Sequence, residues 1–272
     1  MPKLKGGTLA DEKQELEIAR ILGQCCLVAY RDYRQYLPEV KTEKKLEKLG
    51  LVHKYISVSN PPDYEEIETY KANTGPKGKG VPIATLAQIG EKGRKKWVVL
   101  CRGTQEDREW GKNLKATNTT YTILKAKYGK VHQGFYDIYR QFRNDLKNDI
   151  HKKVLPKTLI YVTGHSLGGA LATLAAFDIS MMVGRAYKVH MYNFGAPRVG
   201  QNTFYGHFMN KIKRAYRFVN SKDPVTAVPK WPYYHVGHRY QFKGKRILFQ
   251  NHDMFYYNDV LNDNPEAYKF IK

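Results

Sequence analysis

The chain has 272 residues, 42% of them hydrophobic, which is enough for a substantial core that needs no disulfide or metal to hold it together. No apolar run reaches the roughly 18 residues of a membrane-spanning helix, so no transmembrane segment is expected. Lysine and arginine number 46 against 25 acidic residues, and the net charge of +21 attracts polyanions.

The positive charge is concentrated in three segments, residues 41–54, 77–79 and 92–96. We interpret it as a peripheral contact with an anionic membrane surface or an anionic phospholipid substrate. A solvated, lysine-rich surface without a partner is the alternative. Nucleic acid is not an expected partner, because the sequence contains no nucleic-acid recognition motif.

The N-terminal residues and the cysteines bear on location. Charged residues follow Met1 closely and no apolar signal-peptide core is present, so no cleaved secretion signal is expected. Cys25, Cys26 and Cys101 are an odd number and lack metal-binding spacing; we interpret them as reduced thiols, which favours an intracellular protein. No metal or other cofactor is expected, since His-Glu-x-x-His and paired-cysteine signatures are absent.

Hydrophobic periodicity predicts an alternation of helices and strands. In chain order, the predicted elements are a helix over residues 11–36, strands over 81–88 and 96–101, a helix over 136–154, a strand over 158–163, a helix over 170–182, a strand over 189–194, a helix over 201–210, and strands over 215–219, 233–240 and 246–250. This order predicts an α/β fold with a mainly parallel sheet that helices cover on both faces.

Residues 164–169 have the sequence Gly-His-Ser-Leu-Gly-Gly and lie between a predicted strand and a predicted helix. In this context Gly-x-Ser-x-Gly indicates a nucleophile elbow, a sharp turn that raises the serine hydroxyl above the sheet. Side chains in place of Gly164 and Gly168 would collide with the neighbouring strand and helix. We therefore predict Ser166 as a nucleophile, with the backbone N–H of Leu167 directed at the oxyanion.

A serine nucleophile needs a histidine base and a carboxylate that orients this base. In an elbow of this type the chain order is serine, acid, histidine. Asp223 follows the predicted strand 215–219 on a loop and is the predicted acid. Asp178 lies on the helix after the elbow and is expected to point away, whereas Asp253 and Asp259 follow the last histidine and break the order.

Among the histidines that follow Ser166, His252 is the favoured base, because it lies on a loop after the last predicted strand. His235 and His238 are alternatives within an aromatic, strand-like segment, where a histidine is more often structural. His207 precedes the predicted acid and does not fit the order.

Several segments beyond the elbow form a recognisable series. They are residues 101–104 with Trp110 and Asn113-Leu114 behind them, 131–135, 164–169, 194–200 and 220–229, and more weakly 234–237 with 252–256. In this order, over about residues 96–257, the chain resembles the class 3 lipase family, the fungal-type triacylglycerol lipases and their relatives. The resemblance implies an α/β-hydrolase fold in a single domain, residues 1–272.

The family pattern also implies roles for individual residues. Ser166, Asp223 and His252 match its catalytic triad. Thr104 matches the residue whose backbone N–H, and often hydroxyl, completes the oxyanion hole with Leu167. Residues 105–120 match the mobile lid, and Trp110 stands at the position of the lid tryptophan.

The implied activity is hydrolysis of lipid esters, acylglycerols or phospholipids, through an acyl-enzyme and without a metal. Apart from Trp110, the predicted lid is strongly polar, which leaves room for soluble esters as substrates. Two alternatives therefore stay open. One is a non-lipid esterase of the short-chain or feruloyl type, and the other is a lipase-like signalling or scaffold domain without catalysis.

Overall fold

The computed structural model describes residues 9–36, 58–61, 63–73, 80–91, 93–104, 117–246 and 248–271. Residues 118–120, the end of the predicted lid, lie in a strand, and the rest of the predicted lid, including Trp110, falls outside these ranges, apart from residue 117. The basic segments 41–54 and 77–79 are also outside them. No helix within the described ranges combines the length and the apolar character needed to cross a membrane.

Five α-helices and twelve strands make up the described part of the chain. The helices are α1 (Leu9–Tyr36), α2 (Gln133–Lys153), α3 (Leu167–Ser180), α4 (Asn202–Lys211) and α5 (Met254–Asp263). The strands are β1 (Glu65–Ala72), β2 (Val81–Ile89), β3 (Lys96–Cys101), β4 (Asn118–Ile123), β5 (Ala126–His132), β6 (Leu159–His165), β7 (Lys188–Phe194), β8 (Gly200–Gln201), β9 (Ala215–Asn220), β10 (Tyr233–Tyr234), β11 (His238–Phe242) and β12 (Lys269–Ile271).

Eight of these strands form the central sheet, in the order β1-β2-β3-β6-β7-β9-β11-β12. The first three pair antiparallel, the strands from β3 to β11 pair parallel, and β12 returns antiparallel at the far edge. A tight turn joins β2 to β3, and its Gly90 and Gly93 adopt positive φ angles of 97° and 90° that other residues rarely reach. The predicted mainly parallel α/β sheet is confirmed.

Helices cover the two faces of the sheet and build two different cores. On one face α2 presents buried side chains at helical spacing, and α3 is buried along its whole length, which fits an Ala- and Leu-rich helix without a polar face. On the other face α1 and α5 pack over an aromatic layer from alternate strand positions that includes Tyr192, Phe194 and Phe218. The nucleophile elbow lies between these layers.

A smaller second sheet, in the order β10-β8-β5-β4, was not predicted from the sequence. β8 has only two residues, too short for a hydrophobic pattern to reveal. The strand predicted over 233–240 is divided in the structure between β10, in this sheet, and β11, in the central sheet. β4 and β5 form a hairpin whose polar residues, such as Lys127 and Lys130, do not produce the apolar run of a buried strand.

The predicted strand over residues 246–250 is wrong. Residues Leu248–His252 form a 3₁₀ helix instead. The side chain of Asn251 donates from Nδ2 to the carbonyl oxygen of Arg246 at 2.6 Å, and Asn220 donates from its Nδ2 to the carbonyl oxygen of Asn251 at 2.9 Å. These side-chain contacts satisfy the backbone where a strand would use a neighbouring strand.

Candidate active site

Ser166 lies at the turn between β6 and α3, with φ 57° and ψ −128°. A non-glycine residue in this region of backbone space is strained, by about 1–3 kcal/mol, and such strain persists only where the surrounding structure enforces it. The enforcement comes from both sides: β6 is a central strand of the sheet, and α3 is buried throughout. The predicted strand–turn–helix context of the elbow is therefore present.

Two glycines make this turn possible because no space exists for a side chain at either position. A Cβ atom at Gly164 would lie 2.3 Å from the carbonyl oxygen of Gly168, and one at Gly168 would lie 2.1 Å from the carbonyl oxygen of Cys101. Both obstacles are backbone atoms, which cannot rotate away. The spacing Gly-x-Ser-x-Gly thus follows from the close approach of β6, α3 and the end of β3.

The structure brings Ser166, His252 and Asp223 together in a continuous hydrogen-bonded series. Nε2 of His252 lies 2.8 Å from Oγ of Ser166, and Nδ1 lies 2.7 Å from Oδ2 of Asp223. An ionised carboxylate can only accept, so Nδ1 carries the proton and Nε2 is free to accept from the serine hydroxyl. All three side chains are buried, which strengthens their electrostatic interaction.

Asp223 is held by two further donors. It caps the 3₁₀ helix Pro224–Ala227, where Oδ1 accepts the backbone N–H of Val225 at 2.9 Å. The phenol of Tyr257, on α5, donates to Oδ2 at 2.7 Å and accepts the backbone N–H of Asn220 at 3.0 Å. Sequence reasoning missed Tyr257, because it is one of several aromatic residues after His252 and no motif distinguishes it.

His252 is held through its own backbone by His165, the residue before the nucleophile. Nε2 of His165 lies 2.8 Å from the carbonyl oxygen of His252, and Nδ1 lies 2.8 Å from the phenol oxygen of Tyr30 on α1. A carbonyl only accepts, so Nε2 donates to it and Nδ1 accepts from Tyr30. Burial and the neighbouring His252 lower the pKa of His165 well below its usual value, which keeps the ring neutral.

Asp178 and His235, the less favoured candidates for the acid and the base, make their contacts away from Ser166. Asp178 is buried on α3, where it pairs with Arg143 and accepts from the phenol of Tyr139 at 2.9 Å, on the α2 side of the helix. His235 lies 2.8 Å through its Nε2 from the carbonyl oxygen of Thr226. None of these side chains contacts Ser166 in the structure described.

Two backbone N–H groups are the candidates for an oxyanion hole. Leu167 is the first residue of α3, so its N–H has no acceptor within the helix, and the N-terminus favours negative charge. Thr104 follows the end of β3 by three residues. Between them, Gly103 is in close contact with the elbow, since a Cβ atom there would lie 2.7 Å from the carbonyl oxygen of His165.

Within the described ranges no group of three or more His, Cys, Asp or Glu side chains is placed to hold a metal ion. The three cysteines are buried and unpaired, and burial raises the pKa of Cys25, of Cys26 and of Cys101, to about 12 in the case of Cys26. They are therefore poor nucleophiles and behave as small apolar residues of the core.

Known proteins resemble this chain in sequence. It is 34% identical over 158 residues to the chloroplastic phospholipase A(1) DAD1 of Arabidopsis thaliana, which covers 52% of this chain and 35% of the relative. It is 33% identical over 172 residues to secreted mono- and diacylglycerol lipase 1 of Fusarium solani, which covers 61% of this chain and 48% of the relative. The chain thus spans less than half of the length of either relative.

Solved structures resemble it in fold. The native complex of Rhizomucor miehei lipase with its propeptide gives a TM-score of 0.63 at 22% identity, over 88% of this chain and 70% of that one. The lipase from Rhizopus microsporus var. chinensis gives 0.60 at 26% identity, over 88% and 77%. The predicted α/β-hydrolase fold is confirmed.

A family model covers the segment that carries Ser166 and Asp223, while His252 lies after its end. The model described as Lipase (class 3) matches residues 98–233, from β3 through the elbow and Asp223 to β10. That segment is half of the chain, and it holds most of the motifs on which the resemblance rests. The protein belongs to the class 3 lipase family.

Proposed function

We propose that the protein hydrolyses carboxylic esters of lipids, with Ser166 as nucleophile, His252 as general base and Asp223 as the acid that orients the base. The observation that carries this proposal is the hydrogen-bonded series from Ser166 Oγ through both nitrogens of His252 to Asp223. A serine next to a buried imidazole whose other nitrogen bonds to a carboxylate is the arrangement of an activated nucleophile, and a purely structural serine does not require it.

The proposed reaction has two halves. In the first, Nε2 of His252 takes the hydroxyl proton while Oγ of Ser166 attacks the ester carbonyl, and the protonated imidazole then gives that proton to the departing alcohol. In the second, His252 takes a proton from water as the water attacks the acyl-enzyme, and the imidazolium then returns that proton to Oγ of Ser166 as the bond to the acyl group breaks and the fatty acid leaves. Asp223 stabilises the imidazolium in both halves without accepting its proton.

The backbone N–H groups of Leu167 and Thr104 are the proposed donors to the oxyanion. A donor of this kind contributes about 3 kcal/mol to the stability of the transition state. The domain proposed for this chemistry is the whole chain, residues 1–272, with residues 105–120 as a lid and Trp110 within it.

The proposed substrates are acylglycerols or phospholipids. This choice is supported by the names of the relatives, one a phospholipase A(1) and one a mono- and diacylglycerol lipase, and by membership of the class 3 family. A short-chain or feruloyl-type esterase remains the alternative within enzymes. An esterase of this type would turn over dissolved short-chain esters faster than long-chain glycerides, and its rate would not rise above the micellar concentration of the substrate.

Labelling with a fluorophosphonate probe tests the nucleophile. Ser166 is fully buried. The labelling reaction therefore contains detergent micelles, which open the site to the probe. We expect the wild-type protein and a Ser180→Ala control to be labelled and the Ser166→Ala protein to remain unlabelled. Ser180 is a fair control, since it is also a buried serine of α3, but its hydroxyl bonds to the carbonyl oxygen of Phe177 at 2.7 Å.

Two outcomes would contradict the proposal. Labelling that persists in the Ser166→Ala protein would place the reactive group elsewhere. A folded wild-type protein that takes up no label and hydrolyses neither glycerides, phospholipids nor short-chain esters would favour the scaffold alternative, in which the fold is kept for binding.

A further inference from the structure

Three arginines, two of them on strands of the central sheet, lie close to one another. Arg217 on β9 and Arg239 on β11 are direct partners in the parallel register, so their side chains leave the same face of the sheet. Arg198 belongs to the same group, because its charge acts on Arg217, and the neutral ring of His235 adjoins all three arginines. Positive charges at paired positions of adjacent strands repel each other, and an anion bound near them offsets that repulsion.

No protein carboxylate compensates this cluster within the described ranges. Nε of Arg217 is buried and has no hydrogen-bond partner there. Burial, and then the charges of Arg239 and Arg198, lower the pKa of Arg217 to about 10, so it still carries its charge at neutral pH. Arg217 as a whole is half-buried, and a charge that is partly removed from water is normally paired with an opposite charge. The cluster is therefore suited to an anion from outside the chain.

A cavity of about 500 Å³ is lined by one member of this group, Arg198. Its other lining residues include His235, Lys230, Trp231 and Tyr234. Arg198 is fixed in place, because one of its terminal nitrogens donates to the carbonyl oxygen of Pro229 at 3.0 Å. A volume of this size is in the range of small-molecule sites and holds a phosphate group with ease.

The mouth of the cavity is aromatic and exposed. Trp231 is 83% exposed and Tyr234 is 38% exposed, and the ring of Tyr234 lies 6.1 Å from that of Tyr205, which is also exposed. Tryptophan and tyrosine on a surface, next to a lysine such as Lys230, are typical of contacts with the interface between lipid head groups and acyl chains.

The cavity is linked to the triad by two short stretches of chain. The loop after β7 passes the triad at Gly195, where a Cβ atom would lie 2.9 Å from Oδ2 of Asp223, and reaches the cavity three residues later at Arg198. The backbone N–H of Arg198 bonds to the carbonyl oxygen of Val228, on the stretch that leads from Asp223 to Lys230. A lipid held at the cavity is thus tied to the loops that carry the site.

We propose that this cavity binds the phosphate head group of an anionic phospholipid in a membrane, with Arg198 and Lys230 at the phosphate and Trp231 and Tyr234 in the interface. Arg217 and Arg239 add to the positive potential. Guanidinium groups suit phosphate because they donate two parallel hydrogen bonds. The proposal deepens the lipid substrate class proposed above by adding a membrane contact. Binding is therefore measured with the Ser166→Ala protein, so that a lack of docking and a lack of turnover are separate results.

Vesicle sedimentation tests the mouth of the cavity. We expect the protein to bind vesicles of phosphatidylcholine with phosphatidylglycerol and to bind neutral phosphatidylcholine vesicles weakly. The double change Lys230→Gln and Trp231→Ala weakens binding to the anionic vesicles about tenfold. In the otherwise wild-type protein it leaves the hydrolysis of a dissolved short-chain ester unchanged, which shows that the fold and the triad are intact.

The matched control is Lys152→Gln with Leu155→Ala. It removes the same charge and an apolar side chain that is 76% exposed, at the end of α2 that lies before the start of β6. We expect this control to keep at least most of the binding. An equal loss in both double variants would mean diffuse attraction by the net charge and would overturn the proposal, as would equal binding to neutral and anionic vesicles.

The arginine that lines the cavity is tested with a soluble probe. We expect sn-glycerol 3-phosphate to raise the melting temperature of the wild-type protein and to have no such effect on an Arg198→Gln variant, since a ligand that binds only the folded state stabilises it. Glycerol phosphate could stabilise the wild type while the Lys230→Gln and Trp231→Ala changes leave vesicle binding unchanged. In that case the cavity binds soluble phosphates and the membrane proposal fails. No stabilisation at all would overturn the anion site itself.

Discussion

Tyr257 donates its phenolic hydrogen to Oδ2 of Asp223 at 2.7 Å, the same oxygen that faces Nδ1 of His252. Two donors on one carboxylate oxygen hold it in the plane that the imidazole requires. The phenol oxygen also accepts the backbone N–H of Asn220, the last residue of β9. Tyr257 therefore connects the strand end, the acid and α5 at a single atom.

The first prediction concerns this phenol. Tyr257→Phe removes one donor from Asp223 and leaves the N–H of Asn220 without its acceptor. We expect kcat for a short-chain ester to fall about tenfold and the free energy of unfolding to fall by about 1–3 kcal/mol, because a hydrogen bond to a charged group and a buried donor are both lost. Steady-state kinetics and urea denaturation measure the two effects.

Tyr256→Phe is the matched control for that change. Tyr256 is the neighbouring residue of α5. Its phenol accepts the backbone N–H of Lys245 at 2.9 Å and not a bond from the site. We expect its kcat to stay within about twofold of the wild type. A Tyr257→Phe protein with unchanged kcat would show that the cap at Val225 and the imidazole suffice to hold Asp223.

The second prediction concerns the contact between β3 and the elbow. In a Gly103→Ala protein the new methyl group would lie 2.1 Å from the phenol oxygen of Tyr30 and 2.7 Å from the carbonyl oxygen of His165. The backbone obstacle cannot move aside, so the segment that carries Thr104 must shift. We expect a loss of about 1–3 kcal/mol in stability and at least a tenfold fall in kcat/KM.

Gly206→Ala provides the comparison. Gly206 lies inside α4, and no atom is within 4 Å of its missing Cβ. Alanine there is expected to stabilise the helix by up to about 1 kcal/mol without changing kcat/KM, since alanine favours helices over glycine. If Gly103→Ala behaved like Gly206→Ala, the proposed place of Thr104 in the oxyanion hole would lose its structural basis.

The third prediction is a pH dependence of stability. Burial, and then the charge of Arg217, lower the pKa of His235 from 6.5 to about 3. The folded protein therefore keeps this ring neutral while the unfolded chain takes up the proton. Its contribution to stability is complete above about pH 6.5 and is lost as the pH falls towards about 3, by up to about 1.4 kcal/mol per pH unit.

Urea denaturation at several pH values measures this slope. His235→Gln preserves a donor to the carbonyl oxygen of Thr226 and cannot titrate, so we expect the variant to lose less stability than the wild type between about pH 6 and pH 4. Identical slopes for the two proteins would mean that His235 is protonated in the folded state.

The sequence predicts the centre of the fold better than its edges, for a physical reason. The strand–elbow–helix unit around Ser166 is dictated locally, because the glycines, the apolar strand and the unbroken Ala- and Leu-rich helix are adjacent in the chain. β8 and β10 form only because other strands lie beside them, and Asn251 of the 3₁₀ helix that ends at His252 accepts from Asn220, which lies 31 residues earlier in the chain. Such contacts leave no periodic pattern.

The same distinction applies to the site. Ser166, Asp223 and His252 could be named from chain order and motif, and the structure brings them into contact. Tyr30 and Tyr257 could not, because each is one of 21 tyrosines and reaches its partner only through packing. Asp178 follows Ser166 by more than three helical turns, which predicts that it points away from the elbow, and in the structure it pairs with Arg143 and Tyr139 of α2.

The last prediction compares Asp178 with Asp223: substitution of the first is expected to lower stability, and substitution of the second is expected to lower kcat. Asp178 is fully buried and accepts from Arg143, whose Nη2 lies 2.9 Å from Oδ1, and from Tyr139. Asp178→Asn leaves the guanidinium without its counter-charge, so we expect about 3 kcal/mol of lost stability and a nearly unchanged kcat per folded molecule. Asp223→Asn instead favours the wrong tautomer of His252, and we expect kcat to fall by about 10⁴ with the native circular dichroism spectrum retained. Denaturation curves and kinetics on both proteins give the comparison. A large fall in kcat for the folded Asp178→Asn protein, or a nearly active Asp223→Asn protein, would reassign the acid of the triad.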